Sequence, residues 1–164
     1  MFVNADEIAK ARWPEDAAKH SYEAARIAAD TRSALIAAGH SFIAETVFSH
    51  PSKLELVADA KTAGYIVVLH VVMIPEELAV HRVAYRVRAG GHQVPEDKIR
   101  ERYQRLWSLV AVAISRCDSA IVYDNSQRVG PRIVARFATG QPTETPSWPG
   151  WTPEAMTVRW PAEV

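Results

Sequence analysis

Residues 65–74 read Tyr-Ile-Val-Val-Leu-His-Val-Val-Met-Ile, an apolar and largely β-branched run broken only by His70. Gly64 precedes it and Pro75 follows it. A run of this kind predicts a strand of a parallel sheet covered on both faces, with Pro75 opening the next helix. It falls well short of the ~20 residues a membrane span needs, so no membrane role is expected. Around it, strand-like runs at 2–5, 41–44 and 120–123 alternate with helix-prone segments at 6–12, 15–38, 52–63, 76–89 and a further helix ending near Arg116. That alternation is the mark of βαβ units, and the predicted fold class is α/β with a parallel sheet flanked by helices. Within 15–38, Ala18, Tyr22, Ala25, Ala29, Leu35 and Ile36 mark one helical face, and Gly39 stands where a helix ends. Residues 132–137 predict a hairpin partner for the strand at 120–123.

The last 25 residues hold five of the ten prolines and three of the five tryptophans. The expected organisation is one domain over 1–140 and an extended Pro/Trp-rich tail over 141–164 that packs some aromatics onto it. Composition narrows the function classes. Nineteen Lys plus Arg balance nineteen Asp plus Glu, which argues against a generally basic nucleic-acid binder. The single cysteine, Cys117, excludes an internal disulfide framework and fits a reducing, cytoplasmic compartment. With no base near it in sequence, it reads as a buried, inert thiol. The six histidines show no ligand spacing beside other donors, so no mononuclear zinc site is expected. None of the seven glycines is followed by lysine, and a complete GxxxxGK[ST] phosphate loop is therefore absent from these residues.

In an open parallel sheet, function collects at the carboxyl ends of strands. Three such ends are polar here: Asn4-Ala5-Asp6, Glu45-Thr46 and Asp124-Asn125-Ser126. Asp6 has the chemistry of a general base on a hydroxyl, or of an N-cap for the helix that follows. Glu45 can hold substrate or a metal-bound water. Arg82 and Arg86 lie four apart on one helical face, with Arg88 pointing elsewhere. They run into Gly90-Gly91, beyond which a second helix carries Arg100, Arg102 and Arg105. A hinge between arginine-bearing helices is how a phosphoryl-transfer lid is built. The plainer alternative is that these arginines are solvated and pair with Glu76, Glu77, Glu96 and Glu101.

Five segments in order carry a resemblance. They are Phe-Val-Asn-Ala-Asp-Glu-Ile-Ala from Phe2, Ser-Phe-Ile-Ala-Glu-Thr-Val-Phe-Ser from Ser41, Arg-Val-Arg-Ala-Gly-Gly-His-Gln-Val-Pro from Arg86, Arg-Glu-Arg-Tyr from Arg100, and Tyr-Asp-Asn-Ser from Tyr123. Over residues 2–137 the chain resembles the zeta-toxin-like family of P-loop kinases. The resemblance implies ATP-dependent phosphorylation with Mg²⁺, and for the toxin members a hydroxyl of UDP-N-acetylglucosamine as acceptor. It assigns Asp6 as general base, and Asn4, Glu45, Thr46 and Ser49 as substrate-side residues. It assigns Arg82 to the nucleotide phosphates. The family's second lid arginine falls near His92, which leaves Arg86, Arg88 or Arg100 to supply that charge.

The family's first unit is a strand, a loop ending in Gly-Lys-Ser/Thr and a helix, and its counterpart is missing ahead of the Val-Asn-Ala-Asp segment. Three readings account for this. The true chain is ~30–40 residues longer, the size of one such unit; or the protein is a non-catalytic remnant; or another chain donates the unit. The intact motif residues favour the first. The expected acceptor is a small molecule, an antitoxin-like protein is a possible partner, and the exposed sheet edge left by the missing strand favours homo-oligomers.

Overall fold

The computed structural model describes residues 1–88 and 94–162. In chain order the elements are β1 (Phe2–Asn4), α1 (Ala5–Arg12), α2 (Ser21–Ala37), β2 (Ile43–Glu45), α3 (Ser52–Thr62), β3 (Val68–Met73), α4 (Glu76–Arg88), α5 (Glu96–Arg116), β4 (Ser119–Asp124), β5 (Arg132–Ala138), β6 (Gln141–Pro142) and α6 (Glu154–Thr157). The fold is mixed α/β with parallel strand pairs, as the alternation of runs predicts. Its strands form two sheets instead of one, β1-β2 and β3-β4-β5-β6. The chain divides into two compact units, Met1–Val47 with Thr62–Gly64, and Phe48–Lys61 with Tyr65–Val164.

In the first unit β1 and β2 pair in parallel, from Phe2 opposite Ile43 to Asn4 opposite Glu45. Val3, Ala28 and Leu35 form its small core, with Ala5, Ile8 and Phe42 packed against them. The helix expected from residue 15 begins only at Ser21. The reason is local: Trp13 stacks on His20 with ring centroids 4.3 Å apart, and the turns Asp16 N–H to Trp13 O and Lys19 N–H to Asp16 O take up the chain between. The C-terminal end of α2 is as expected. Gly39 adopts φ +70°, its N–H bonds the Ile36 carbonyl, and the His40 N–H reaches back to Leu35. That paired bonding pattern satisfies carbonyls the helix would otherwise leave open, and it needs a residue at ease with positive φ.

Arg32 breaks the usual rule for this core face. It follows Ala28 by four and precedes Leu35 by three, so it shares their side of α2, and it is only 5% exposed. Among the described residues no carboxylate or other group pairs with it, and burial pushes its pKa down.

In the second unit β3 runs parallel to β4, from Val68 opposite Ser119 to Met73 opposite Asp124. The hairpin expected at 132–137 is present as β5, antiparallel to β4 with a bulge between Val122 and Tyr123. One face of this sheet is covered by α5 through Trp107, Val110, Ala111 and Ile114, packed on Val71, Met73, Val122 and Phe137. The tail is more structured than an extended segment. It adds β6 and α6, buries Met156 and Trp160 in the core, and sets the Trp160 ring 4.6 Å from Phe137. Trp148 Nε1 donates to the Trp160 carbonyl at 2.7 Å, closing the tail on itself. Tryptophans bury large areas, and Trp148 and Trp160 each donate Nε1 to a carbonyl, which helps fold a proline-rich segment down.

The strand expected to be buried on both faces is not. Among the described residues β3 is an edge strand paired only with β4, and Val68 and Val72 are 53% and 58% exposed on its open face. His70 lies on the same face and stacks on Tyr123, with Nδ1 3.0 Å from the tyrosine hydroxyl. Strand composition reports what a strand is suited to pack against, while burial requires that the packing element be there. Cys117 is buried, and burial pushes its thiol up to about 11, in keeping with an inert thiol. No described helix is long and apolar enough to cross a membrane.

Candidate functional site

Asn4 organises the carboxyl end of the first sheet. Its Oδ1 accepts from the Asp6 N–H at 2.7 Å and the Glu7 N–H at 3.3 Å, capping α1. Its Nδ2 donates to Glu45 Oε2 at 3.0 Å. One side chain thus joins the ends of β1 and β2 and starts the helix that carries Asp6. This corrects the N-cap alternative for Asp6: Asn4 holds that position, and Asp6 follows within the first turn. The Asp6 carboxylate is solvent-exposed, at the positive end of the α1 dipole, where a negative charge is favoured. Thr46 lies just past Glu45, exposed, with its hydroxyl engaged only weakly with the Val47 carbonyl at 3.5 Å. The structure therefore brings Asn4, Asp6, Glu45 and Thr46 to one end of one small sheet. Ser49 lies in the second unit, ahead of α3.

In the second unit Arg82 is the best-placed arginine. From α4 its Nη2 donates to the Asn125 carbonyl at 2.8 Å, which sets the guanidinium beside the carboxyl end of β4. The Asn125 N–H in turn bonds the Met73 carbonyl at the end of β3. Asp124, 3% exposed, holds this corner: it accepts from the Ser126 N–H at 2.9 Å and pairs with Arg132 at 3.5 Å. Burial raises its pKa, yet the Ser126 bonds and the Arg132 charge outweigh that and hold the carboxyl below its ordinary value. Sequence reading placed Asp124 at a polar strand end and predicted the hairpin that returns Arg132 beside it, but the ion pair itself is set by the register of that hairpin.

Arg86 and Arg88 are exposed on α4, a helix with no buried residue. Arg100 is not free. It binds Glu77 through both terminal nitrogens at 2.6 and 2.9 Å, Glu96 at 2.8 Å and Glu76 at 3.3 Å. Three carboxylates already neutralise it, and for Arg100 and Arg105 the plain reading of charges pairing along and between helices is the observed one. His92 lies outside the described residues. Among the described residues no group of three or more His, Cys, Asp or Glu is arranged to hold a metal ion.

The residues present do not by themselves fit a nucleoside triphosphate, because no Gly-Lys-Ser/Thr loop is among them to wrap the phosphates with backbone N–H groups and a lysine. What they provide is, in the first unit, carboxylates at a strand end and, in the second unit, arginines on a helix beside the end of β4.

A family model described as Zeta toxin matches residues 1–130. No curated protein and no solved structure matches the chain. The matched span includes Asn4, Asp6, Glu45, Arg82 and Asp124, and the parallel α/β architecture around them is of the P-loop kinase type. The chain belongs to the zeta toxin family.

Proposed function

We propose that these residues form the acceptor-binding and lid part of an ATP-dependent small-molecule kinase, acting on a hydroxyl of a nucleotide sugar such as UDP-N-acetylglucosamine. The observation that carries this reading is the Asn4 bridge, which accepts from the Asp6 N–H and donates to Glu45 and so brings both residues to the paired ends of β1 and β2. In this reading Asp6 accepts the proton of the acceptor hydroxyl, while Asn4, Glu45, Thr46 and Ser49 orient the acceptor. Arg82, with Arg86 beside it on the same helical face, neutralises phosphate charge. The phosphate-gripping loop comes from a segment outside these 164 residues, and the unpaired edge and open apolar face of β3 are suited to receive its strand. Further partners, an antitoxin-like protein or a second copy of the chain, belong to this same proposal.

A second reading, a non-catalytic family member that serves as an interaction protein, is favoured by the same open β3 edge and by the missing lysine loop. Calorimetry with ATP and Mg²⁺ separates the two. It should be run on this chain and on a version completed ahead of Met1 with a strand, a Gly-Lys-Ser loop and a helix. Binding by the completed version alone is the expected result. Binding by neither would sink the kinase reading in favour of the interaction protein. Binding by the 164-residue chain would overturn the account of phosphate recognition given above.

A further inference from the structure

Arg82 is tied to the protein through one bond, from Nη2 to the Asn125 carbonyl at 2.8 Å, and among the described residues no carboxylate pairs with it. Its charge and its remaining N–H groups stay available, whereas three carboxylates occupy Arg100. What aims the Arg82 guanidinium is therefore whatever aims that carbonyl.

The Asn125 carbonyl and the Ser126 N–H are the two ends of one peptide group. No cis peptide bond occurs among the described residues, and a trans peptide is planar, with its C=O and N–H pointing opposite ways. Fixing one end fixes the direction of the other. Asp124 Oδ1 accepts the Ser126 N–H at 2.9 Å, the bond to the second residue onward by which an aspartate folds a turn. On the near side the Asn125 N–H bonds the Met73 carbonyl at 2.8 Å. The peptide is thus held on both flanks, and its oxygen meets Arg82 from α4. Asp124 is itself held firmly: it is 3% exposed, in register with Met73 of β3 on one side and Arg132 of β5 on the other. A carboxylate also binds a backbone N–H more strongly than a neutral oxygen does, and it polarises the peptide so that the carbonyl becomes the better acceptor.

We propose that Asp124 is the positioning residue for Arg82, acting through the Asn125–Ser126 peptide group. What Arg82 then does with a phosphate rests on the function proposed above; the positioning itself does not.

The test separates the turn from the charge. It is read on the full 164-residue chain, labelled with ¹⁵N, as the protection of the Arg82 Nη protons from solvent exchange, assigned by their loss in Arg82→Gln. Asp124→Asn keeps an oxygen that forms the same turn and gives up the charge, and protection is expected to stay within about twofold of the native chain. Asp124→Glu keeps the charge but sets the carboxylate a methylene too far out for that turn, and protection is expected to fall roughly fivefold or more. Arg132→Gln removes the exposed ion-pair partner of Asp124 and is expected to leave Arg82 unchanged. Protection kept in Asp124→Glu, lost in Asp124→Asn, or lost in Arg132→Gln would each overturn the assignment, because the carboxylate would then act by charge or by pinning β5. Coupling between two sites is reciprocal, so Arg82→Gln is expected to lower the protection of the Ser126 amide roughly twofold or more. An unchanged Ser126 amide overturns the assignment even where Asp124→Glu fails to fold. In a chain completed with a phosphate loop, Asp124→Glu and Arg82→Gln are expected to cost turnover equally, and together no more than singly; additive losses would show that the two residues act apart. A completed chain that binds no ATP would sink the kinase reading and leave the exchange measurements to decide this one.

Discussion

Asp6→Asn, made in a chain completed with a phosphate loop, is expected to cut turnover by about 10²–10⁴-fold, the range a positioned general base contributes. The substitution keeps shape and hydrogen-bonding capacity and removes only the negative charge. It leaves the fold nearly intact for a stated reason: Asn4, not Asp6, caps α1, and the Asp6 side chain is exposed. The loss of a favourable charge at the first turn of α1 is worth about 0.3–1 kcal/mol of stability, too little to unfold the unit. Steady-state kinetics beside circular dichroism would read the two effects separately. Glu7→Gln is the matching control, since Glu7 neighbours Asp6 on α1 but pairs with Lys10. A turnover loss under tenfold for Asp6→Asn, or an equal loss for Glu7→Gln, would remove Asp6 from the role of base.

The largest expected effect on stability belongs to Gly140→Ala. Thr139 and Gly140 join β5 to β6 with φ of +48° and +79°, the positive values a two-residue hairpin turn demands at both centres. A Cβ on Gly140 would lie 2.9 Å from Ser115 Cα and 3.0 Å from the Ser115 carbonyl oxygen. These are backbone atoms near the end of α5, the helix that covers the core, so they cannot swing aside. The Gly140 carbonyl also accepts from Trp160 Nε1 at 3.3 Å, so a shift of the turn would disturb the docked tail. Left-handed strain of about 1–2 kcal/mol and overpacking of about 1–3 kcal/mol together predict a loss of about 2–5 kcal/mol. Urea unfolding followed by tryptophan emission would measure it. Gly130→Ala is the comparison: its φ is +107° but nothing stands within 4 Å of the added carbon, so it should lose only the strain. Equal losses at the two glycines would show that the Ser115 contact carries no weight.

Local order was readable from the residues because it is encoded at short range. The three- and four-residue recurrence of apolar positions located α2, Pro75 marked the start of α4, and Gly39 and Gly64 marked where helices stop because a positive φ suits glycine. The motif segments also placed Asp6 and Glu45 at strand ends, since a strand followed by polar residues is itself a local pattern. Beyond the β4–β5 hairpin, pairing between distant segments was not readable. Asn4 serves both as cap and as tether to Glu45 only because β1 and β2 lie side by side, 41 residues apart in sequence. For Arg100 the sequence left a lid cation and an ion-paired arginine both open, and the fold decides for pairing by bringing Glu76 and Glu77 from another helix to it. Arg32 is amphipathic enough for any surface helix, and only the packing of α2 makes it a buried charge. The apolar run at 65–74 carries the composition of a fully covered strand, but coverage needs a second neighbour that no run of residues can supply for itself. Composition and periodicity thus located most helices and strands ahead of the tail; the start of α2, the elements of the tail, the partners and the open edge of β3 were settled by which segments the folded chain brings together.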